Sequence, residues 1–177
     1  DIDTLKYVVK HKKPPKFVGF ISNYKKSKRY VDFDTLKTLT SVDKNNSKFV
    51  SVLVNPTDED LEKIKELPID YFQLYDVDPE RTKIIKDRYK KKIISALTID
   101  TRKDVKKYIQ YQNISDIILF DSKGYENSLR FDHSFLKNIP NNFEKMIAGN
   151  IDLQNIPILS NLDYFIDLSG SLENESG

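Results

Sequence analysis

Asp121 is the first candidate for catalysis, because it directly follows a run of four large apolar residues, Ile117–Phe120. Such a run, without polar alternation, indicates a strand buried on both faces, as in parallel sheets. α/β proteins place their reactive groups at the carboxyl ends of these strands. The position suits a catalytic carboxyl group and, equally, one that caps the next loop through its backbone. The following loop, Ser122–Arg130, has the length of a lid over a site.

Other strand ends carry polar side chains that suit ligand binding. Arg29 follows the first apolar run, and its guanidinium group fits a bidentate bond to a carboxylate, although a loop arginine is more often a surface residue. Gln73 and Tyr75 end the third run with a polar side chain and an aromatic hydroxyl. They are further candidates for contact with a ligand.

Two loops near the end of the chain consist of small residues. Ala148–Asn150 follows the sixth apolar run, and Asp167 begins a loop that continues through Ser169, Gly170 and Ser171. Small residues let backbone N–H groups approach a phosphate, whereas the simpler explanation is a tight turn that needs glycine. Together with the arginine, these loops predict a phosphorylated substrate with a carboxylate or another anionic group at its far end.

Short apolar runs alternate with amphipathic segments along the whole chain, which predicts βα units and a parallel sheet. A helix is predicted from Asp1 to about Lys10. The predicted strands are Lys16–Ser22, Lys48–Asn55, Ile69–Tyr75, Lys92–Ile99, Asp116–Asp121, Lys145–Gly149 and Asp163–Ser169.

Three of the predicted helices have clear start signals. Asn55-Pro56 predicts a cap followed by a first-turn proline, and Asp78-Pro79 repeats that arrangement. Thr101 and Asp104 have the spacing of a capping box, with aspartate in place of the usual glutamate.

This alternation leaves two architectures, an open doubly wound sheet and a closed barrel. No glycine-rich phosphate fingerprint follows the first strand, and seven strands are many for a small open sheet. The chain begins on a helix and finishes just after a strand, so one strand and one helix are missing from a complete set. We therefore expect a single α/β domain over 1–177, a (β/α)8 TIM barrel without its first strand and last helix in these residues.

Composition excludes several classes of function. The 29 basic and 27 acidic residues give a net charge of only +2, which argues against nucleic acid as the main partner. Cysteine is absent and the two histidines are far apart, so we expect no disulfide, no metal site and no thiolate within these residues. No apolar stretch approaches the roughly 20 residues that span a bilayer and no secretory signal is visible, so we expect a cytoplasmic protein with no membrane partner.

Seven motifs resemble, in the same order, those of phosphoribosylanthranilate isomerase, a family of tryptophan biosynthesis. Gly19–Tyr30 resembles the family's GFVFYPKSKRY, and Leu119–Lys123 its LLDSK. The other matches are Val52–Pro56 to VFVNP, Phe72–Tyr75 to VQLHG, Phe131–His133 to FDW, Ala148–Asn150 to GGLN and Ile166–Glu173 to VDVSSGVE. The resemblance covers nearly the whole chain.

The resemblance implies an Amadori rearrangement on a (β/α)8 barrel, without a cofactor. In this reaction a general acid protonates the furanose ring oxygen of N-(5′-phosphoribosyl)anthranilate, the ring opens to a Schiff base, and a general base removes the C2′ proton. By this comparison Asp121 is the general acid, Arg29 holds the anthranilate carboxylate, and Gly149-Asn150 and Ser169–Ser171 hold the phosphate. The remaining substrate-binding positions are Gln73, Tyr75 and Asp167.

The chain departs from the family at three places. The family's general base is a cysteine in Lys-(Ile/Val)-Cys-Gly at the end of the first strand; it is expected just before Asp1, and these residues alone are expected to be inactive without it. Tyr75 stands where the family has histidine. Glycines are fewer at Gly124–Ser128 and at Gly149-Asn150.

These departures keep two alternatives open. One is a related ribose-phosphate barrel such as indole-glycerol-phosphate synthase, whose chemistry uses strand-end lysines, for which Lys123 is the single candidate. The other is a degenerate barrel that binds phosphate without catalysis. The sequence is compatible with a monomer and with a homodimer.

Overall fold

Seven parallel strands form one sheet in the computed structural model, which describes residues 1–122, 131–159 and 162–173. Their order in the sheet is their order in the chain. All seven predicted strands are confirmed, although β7 is much shorter than predicted and pairs with β6 through two residues. The strands are β1 (Phe17–Ile21), β2 (Lys48–Val54), β3 (Tyr71–Tyr75), β4 (Lys92–Ile99), β5 (Ile117–Ser122), β6 (Glu144–Ile147) and β7 (Phe165–Ile166).

Helices connect the strands on the outside of the sheet. The helix predicted at the start of the chain is confirmed, because Asp1 caps it by accepting hydrogen bonds from the backbone N–H groups of Asp3 and Thr4 at 2.9 Å. The helices are α1 (Ile2–Lys10), α2 (Phe33–Thr40), α3 (Asp58–Ile64), α4 (Pro79–Tyr89), α5 (Arg102–Val105), α6 (Tyr108–Tyr111) and α7 (Ile156–Leu159), with 3₁₀ turns at His133–Leu136 and Gly170–Leu172.

The start of α3 differs from the prediction. Thr57, not Asn55, is the N-cap: its hydroxyl accepts from the backbone N–H of Asp60 at 3.1 Å, and the Asp60 carboxylate accepts from Thr57 N at 2.9 Å. A two-way capping box satisfies two backbone donors, so the helix starts after Pro56 rather than with it.

The other two predicted helix starts are confirmed. Asp78 accepts from the backbone N–H of Arg81 at 2.8 Å, with Pro79 in the first turn. Asp104 accepts from the backbone N–H of Thr101 at 2.8 Å.

The sheet curls until its two edge strands approach each other. The ring of Phe17 on β1 lies edge to face with that of Phe165 on β7, with 5.3 Å between centroids, and Lys16 Nζ lies 4.0 Å from the centroid of Phe165. Since β1 and β7 are the first and last strands, this contact closes the inner face around a common interior. The fold is the predicted (β/α)8 barrel without one strand.

Successive side chains point to opposite faces of each strand. On β5, Ile117 and Leu119 belong to the cluster inside the barrel, whereas Ile118 and Phe120 pack between the sheet and the helices. The same alternation turns Asp121 toward the interior. The apolar residues of β5 therefore pack in two cores, one inside the barrel and one between the sheet and the helices. The carboxyl group of Asp121 points into the barrel interior.

Carboxylates fasten the amino-terminal edge of the sheet. Asp116 accepts from the backbone N–H of Ile93 at 2.8 Å and from Lys86 Nζ at 2.9 Å, joining β4 and α4 to the start of β5. Asp70, two units earlier and just before β3, likewise accepts from the backbone N–H of Phe49 on β2 and from Lys44 Nζ. At this end of a barrel, side chains are expected to stabilise the fold, because the catalytic residues lie at the carboxyl end.

Candidate active site

A cavity of about 580 Å³ extends through the barrel interior, from Pro15 and Lys16 ahead of β1 to the loops at the carboxyl ends of the strands. Its lining contains eight of the ten residues that the sequence predicts for the site. They are Arg29, Gln73, Tyr75, Asp121, Gly149, Asn150, Asp167 and Ser169. The other two, Gly170 and Ser171, lie exposed in the next turn, outside the lining.

Asp121 is anchored through both carboxyl oxygens. Oδ1 accepts from the backbone N–H of Ser122 at 2.7 Å, and Oδ2 accepts from the hydroxyl of Tyr75 at 2.7 Å. Burial raises the pKa of Asp121, and this effect outweighs the two hydrogen bonds, which lower it. A carboxyl group with a raised pKa keeps its proton further toward neutral pH, as a general acid must.

Tyr75 and Gln73 share the inner face of β3, because they are two residues apart. Gln73 Nε2 donates to the Tyr75 hydroxyl at 3.4 Å. Burial, together with the charges of Asp121 and Asp167, raises the pKa of Tyr75 well above its usual value. The hydroxyl therefore stays neutral and keeps its proton for the bond to Asp121.

Asp167 supplies a second carboxyl group to the cavity. Asp167 lies two residues after Phe165, so its side chain points to the same inner face. Burial raises the pKa of Asp167 from 3.8 to about 6. Repulsion from Asp121 adds to this shift, and the charge of Arg29 opposes it. Two carboxyl groups that repel each other titrate as a pair, so both are fully ionised only at higher pH.

Asp167→Asn is expected to stabilise the fold at pH 8 by about 2 kcal/mol and to leave stability nearly unchanged at about pH 3. Below the unfolded pKa of 3.8 the carboxyl group is protonated in both states. Above about pH 6 the folded protein must hold a desolvated carboxylate that the unfolded chain leaves in water. Urea unfolding at both pH values measures the difference.

The exposed Asp163 is the matched control for this experiment, because it lies four residues earlier in the same segment. Asp163→Asn should change stability by less than about 0.5 kcal/mol at both pH values. Equal effects of the two substitutions at pH 8 would contradict the burial of Asp167.

Glu173 is a residue of the site that the sequence reasoning missed. Its carboxylate accepts from Arg29 through Nε and, at 2.8 Å, through Nη2, and Lys28 Nζ lies 3.0 Å away. These bonds, led by the one from Arg29, lower the pKa of Glu173 to about 2. The pair joins the loop after β1 to the turn after β7 across the two edges of the sheet. The available signal was its place at the end of the motif Ile166–Glu173.

Gly149 packs against the end of β5. Its φ is +100°, and a Cβ there would lie 2.2 Å from Ser122 Oγ and 2.9 Å from Ser122 N. Only glycine fits, because the backbone of the loop after β6 touches the backbone at the end of the neighbouring strand β5. The predicted phosphate loop is thus held directly beside Asp121.

The described residues contain no group of three or more histidine, aspartate or glutamate side chains placed to hold a metal ion. In the same part of the chain, every helix is too short or too polar to cross a lipid bilayer. The predicted lid falls mainly on residues 123–130, which lie outside the described ranges.

A parallel barrel that gathers two desolvated carboxyl groups, an arginine and small-residue loops at the carboxyl ends of its strands belongs to the class of (β/α)8-barrel enzymes. The model of the N-(5′-phosphoribosyl)anthranilate isomerase family matches residues 1–177. The chain belongs to that family.

Relatives and solved structures agree with this assignment. The N-(5′-phosphoribosyl)anthranilate isomerase of Rhizobium rhizogenes is 33% identical over 171 residues, which cover 90% of this chain and 77% of that protein. The structure of phosphoribosylanthranilate isomerase from Thermotoga maritima has a TM-score of 0.84 at 21% identity, covering 100% of this chain and 87% of that one. A phosphoribosylanthranilate isomerase in complex with reduced 1-(o-carboxyphenylamino)-1-deoxyribulose 5-phosphate has a TM-score of 0.81 at 20% identity, covering 100% and 86%.

Proposed function

We propose that the protein converts N-(5′-phosphoribosyl)anthranilate to 1-(o-carboxyphenylamino)-1-deoxyribulose 5-phosphate in tryptophan biosynthesis, with Asp121 as the general acid. The observation that carries the proposal is the placement of Asp121 in the cavity, desolvated and held through both oxygens. Family membership supports the choice of this reaction over that of another ribose-phosphate barrel such as indole-glycerol-phosphate synthase.

In the first step Asp121 gives its proton to the furanose ring oxygen, and the C1′–O4′ bond breaks to leave a Schiff base. This step needs a protonated carboxyl group near neutral pH, which the raised pKa of Asp121 favours. Loss of the C2′ proton then gives an enolamine, which tautomerises to the ketone. The reaction is an internal rearrangement, so it needs neither an oxidant nor a second substrate.

The cavity lining offers groups that suit both ends of the substrate. Arg29, which bonds Glu173 through Nε and Nη2, is proposed to bind the anthranilate carboxylate as well, and the small residues Gly149, Asn150 and Ser169 leave room for the phosphate. Gln73, Tyr75 and Asp167 also line the cavity and are proposed to contact the sugar. Gly170 and Ser171, exposed in the next turn, are proposed to add backbone donors for the phosphate.

From the family's motif, the proposed general base is a cysteine ahead of Asp1; the 177 residues themselves contain no cysteine. We further propose a single barrel domain, active as a monomer or a homodimer in the cytoplasm. A phosphorylated substrate favours that compartment, because phosphate esters do not cross membranes freely.

Turnover of N-(5′-phosphoribosyl)anthranilate by the full-length gene product tests the proposal. Loss of anthranilate fluorescence at a rate proportional to enzyme concentration is the expected result. Tight binding of reduced 1-(o-carboxyphenylamino)-1-deoxyribulose 5-phosphate without turnover would instead identify a degenerate, non-catalytic barrel and overturn the proposal.

Arg29→Gln is expected to raise KM by about 10- to 100-fold with a smaller change in kcat. The reason is that a charge-assisted bond to a carboxylate contributes about 1.5–3 kcal/mol to binding. Steady-state kinetics measure both constants. Lys28→Gln is the control, since Lys28 also pairs with Glu173 but is half exposed; it should stay within twofold. Equal KM values for Arg29→Gln and the unchanged protein would contradict the assignment.

A further inference from the structure

Two hydrogen bonds fix the plane of the Asp121 carboxyl group. The bond from Ser122 N to Oδ1 belongs to the backbone and cannot be exchanged, whereas the bond from Tyr75 to Oδ2 comes from another strand. A carboxyl group with one anchor turns about its Cβ–Cγ bond; with two anchors it does not. Tyr75 therefore decides which way Oδ2 faces in the cavity.

We propose that Tyr75 is a positioning residue for the isomerisation: its hydroxyl fixes Oδ2 of Asp121 and sets the pH range over which Asp121 serves as the acid. The inference rests on the proposed role of Asp121. It gives Tyr75 a function beyond contact with the sugar, carried by a bond that joins β3 to β5 across the barrel interior.

Tyr75, the hydrogen-bond partner of Asp121, is a neutral group, and this affects the pKa of Asp121. Tyr75 is 8% exposed and its raised pKa keeps the phenol protonated, so it donates to Asp121 without adding a charge. Gln73, 6% exposed, donates to the same hydroxyl and restricts its direction. A neutral donor lowers the pKa of a carboxyl group less than a cation does, so Asp121 still holds its proton near neutral pH.

Other ionisable groups face the same cavity and define the background for this effect. They are Lys16, Tyr24, Arg29 and Asp167. Among the described residues that line the cavity, Tyr75 is the ionisable group whose hydrogen bond lowers the pKa of Asp121. Removing the phenolic hydroxyl should therefore change the acid directly and leave the other charges in place.

Tyr75→Phe tests the inference in the full-length protein. The rate requires protonated Asp121, so it falls as pH rises through the pKa of Asp121. Without the donor the carboxylate is less stable and that pKa rises, so the alkaline limb of kcat should move up by about one pH unit. Loss of orientation should lower the plateau of kcat by about 3- to 10-fold.

Tyr71→Phe is the matched control. Tyr71 lies on the same strand and the same inner face, is 9% exposed, and is absent from the cavity lining. A general loss of packing from removing a buried tyrosine hydroxyl would appear in both variants, whereas a shift of the pH profile should appear in Tyr75→Phe alone.

A second measurement separates this inference from the proposed function. The ¹³C resonance of the Asp121 carboxyl group, assigned by its absence in Asp121→Asn, reports the pKa of Asp121 without catalysis. Parallel upward shifts of this pKa and of the alkaline limb in Tyr75→Phe support the inference. An unchanged pKa would overturn it. If the pKa of Asp121 rises in Tyr75→Phe but the alkaline limb of the kcat profile does not move, Asp121 is not the general acid. The proposed effect of Tyr75 on catalysis would then also be wrong.

Discussion

Asp121→Asn is expected to lower kcat/KM of the full-length protein by about 10²- to 10⁴-fold, the contribution typical of a positioned general acid. The amide matches the carboxyl group in shape and can still accept from Ser122 N, so the site should keep its geometry. It has no proton to give to the ring oxygen at neutral pH. Initial rates from anthranilate fluorescence, together with circular dichroism and thermal unfolding, separate lost chemistry from lost structure.

Asp76 provides the matched control, because it also follows a strand of the barrel but is exposed and outside the cavity lining. Its φ is 55°, a conformation that asparagine adopts as readily as aspartate. Asp76→Asn should retain activity within about twofold. Should Asp121→Asn keep more than about a tenth of the activity, Asp121 is not the acid.

Gly149→Ala is expected to lower the free energy of unfolding by about 2–4 kcal/mol, combining the strain of a positive φ with overpacking. The added Cβ would lie 2.7 Å from Ser122 Cβ as well as 2.9 Å from Ser122 N, so the loop after β6 must move away from the end of β5. Because Ser122 N anchors Oδ1 of Asp121, the same displacement should weaken both phosphate binding and the orientation of the acid.

Gly19→Ala is the control for the stability measurement. A Cβ at Gly19 would meet one side-chain atom, Val52 Cγ2, at 3.3 Å, and the backbone there has no positive φ. A change of less than about 1 kcal/mol is expected, since a single side chain can move by a few tenths of an ångström. Denaturant unfolding of both variants compares the two effects; equal losses would contradict the close packing of Gly149 on Ser122.

Much of the architecture could be predicted because apolar runs and helix starts are local signals. Each of the seven strands overlaps a predicted one, although β6 has only two large apolar residues, Met146 and Ile147. The two helix starts with an aspartate cap or an aspartate capping box were predicted correctly at Asp78 and Thr101. The predicted start near Asn55 is wrong because the capping box from Thr57 to Asp60 satisfies two backbone donors and starts the helix later.

The missed part of the site depends on contacts between distant residues. Arg29 and Glu173 are 144 positions apart, and nothing local to either predicts that they pair. The contact of Gly149 with Ser122 likewise joins the loop after β6 to the end of β5. The local sequence therefore predicts Gly149 as a turn residue or a phosphate contact, and not as a residue required for packing.

The sequence by itself determined that Asp121 closes a buried strand of a parallel α/β fold and that its neighbours along the chain match one family of barrel enzymes. It did not determine which face of that strand lines the site, because Ile117–Phe120 is apolar at every position and both faces are buried. The curl of the sheet, which brings Phe17 to Phe165, made one face the interior and turned Asp121 and Tyr75 toward each other. Tertiary structure thus decided the partner of the acid, since hydrogen bonds across a barrel depend on strand parity and closure, which no local pattern encodes.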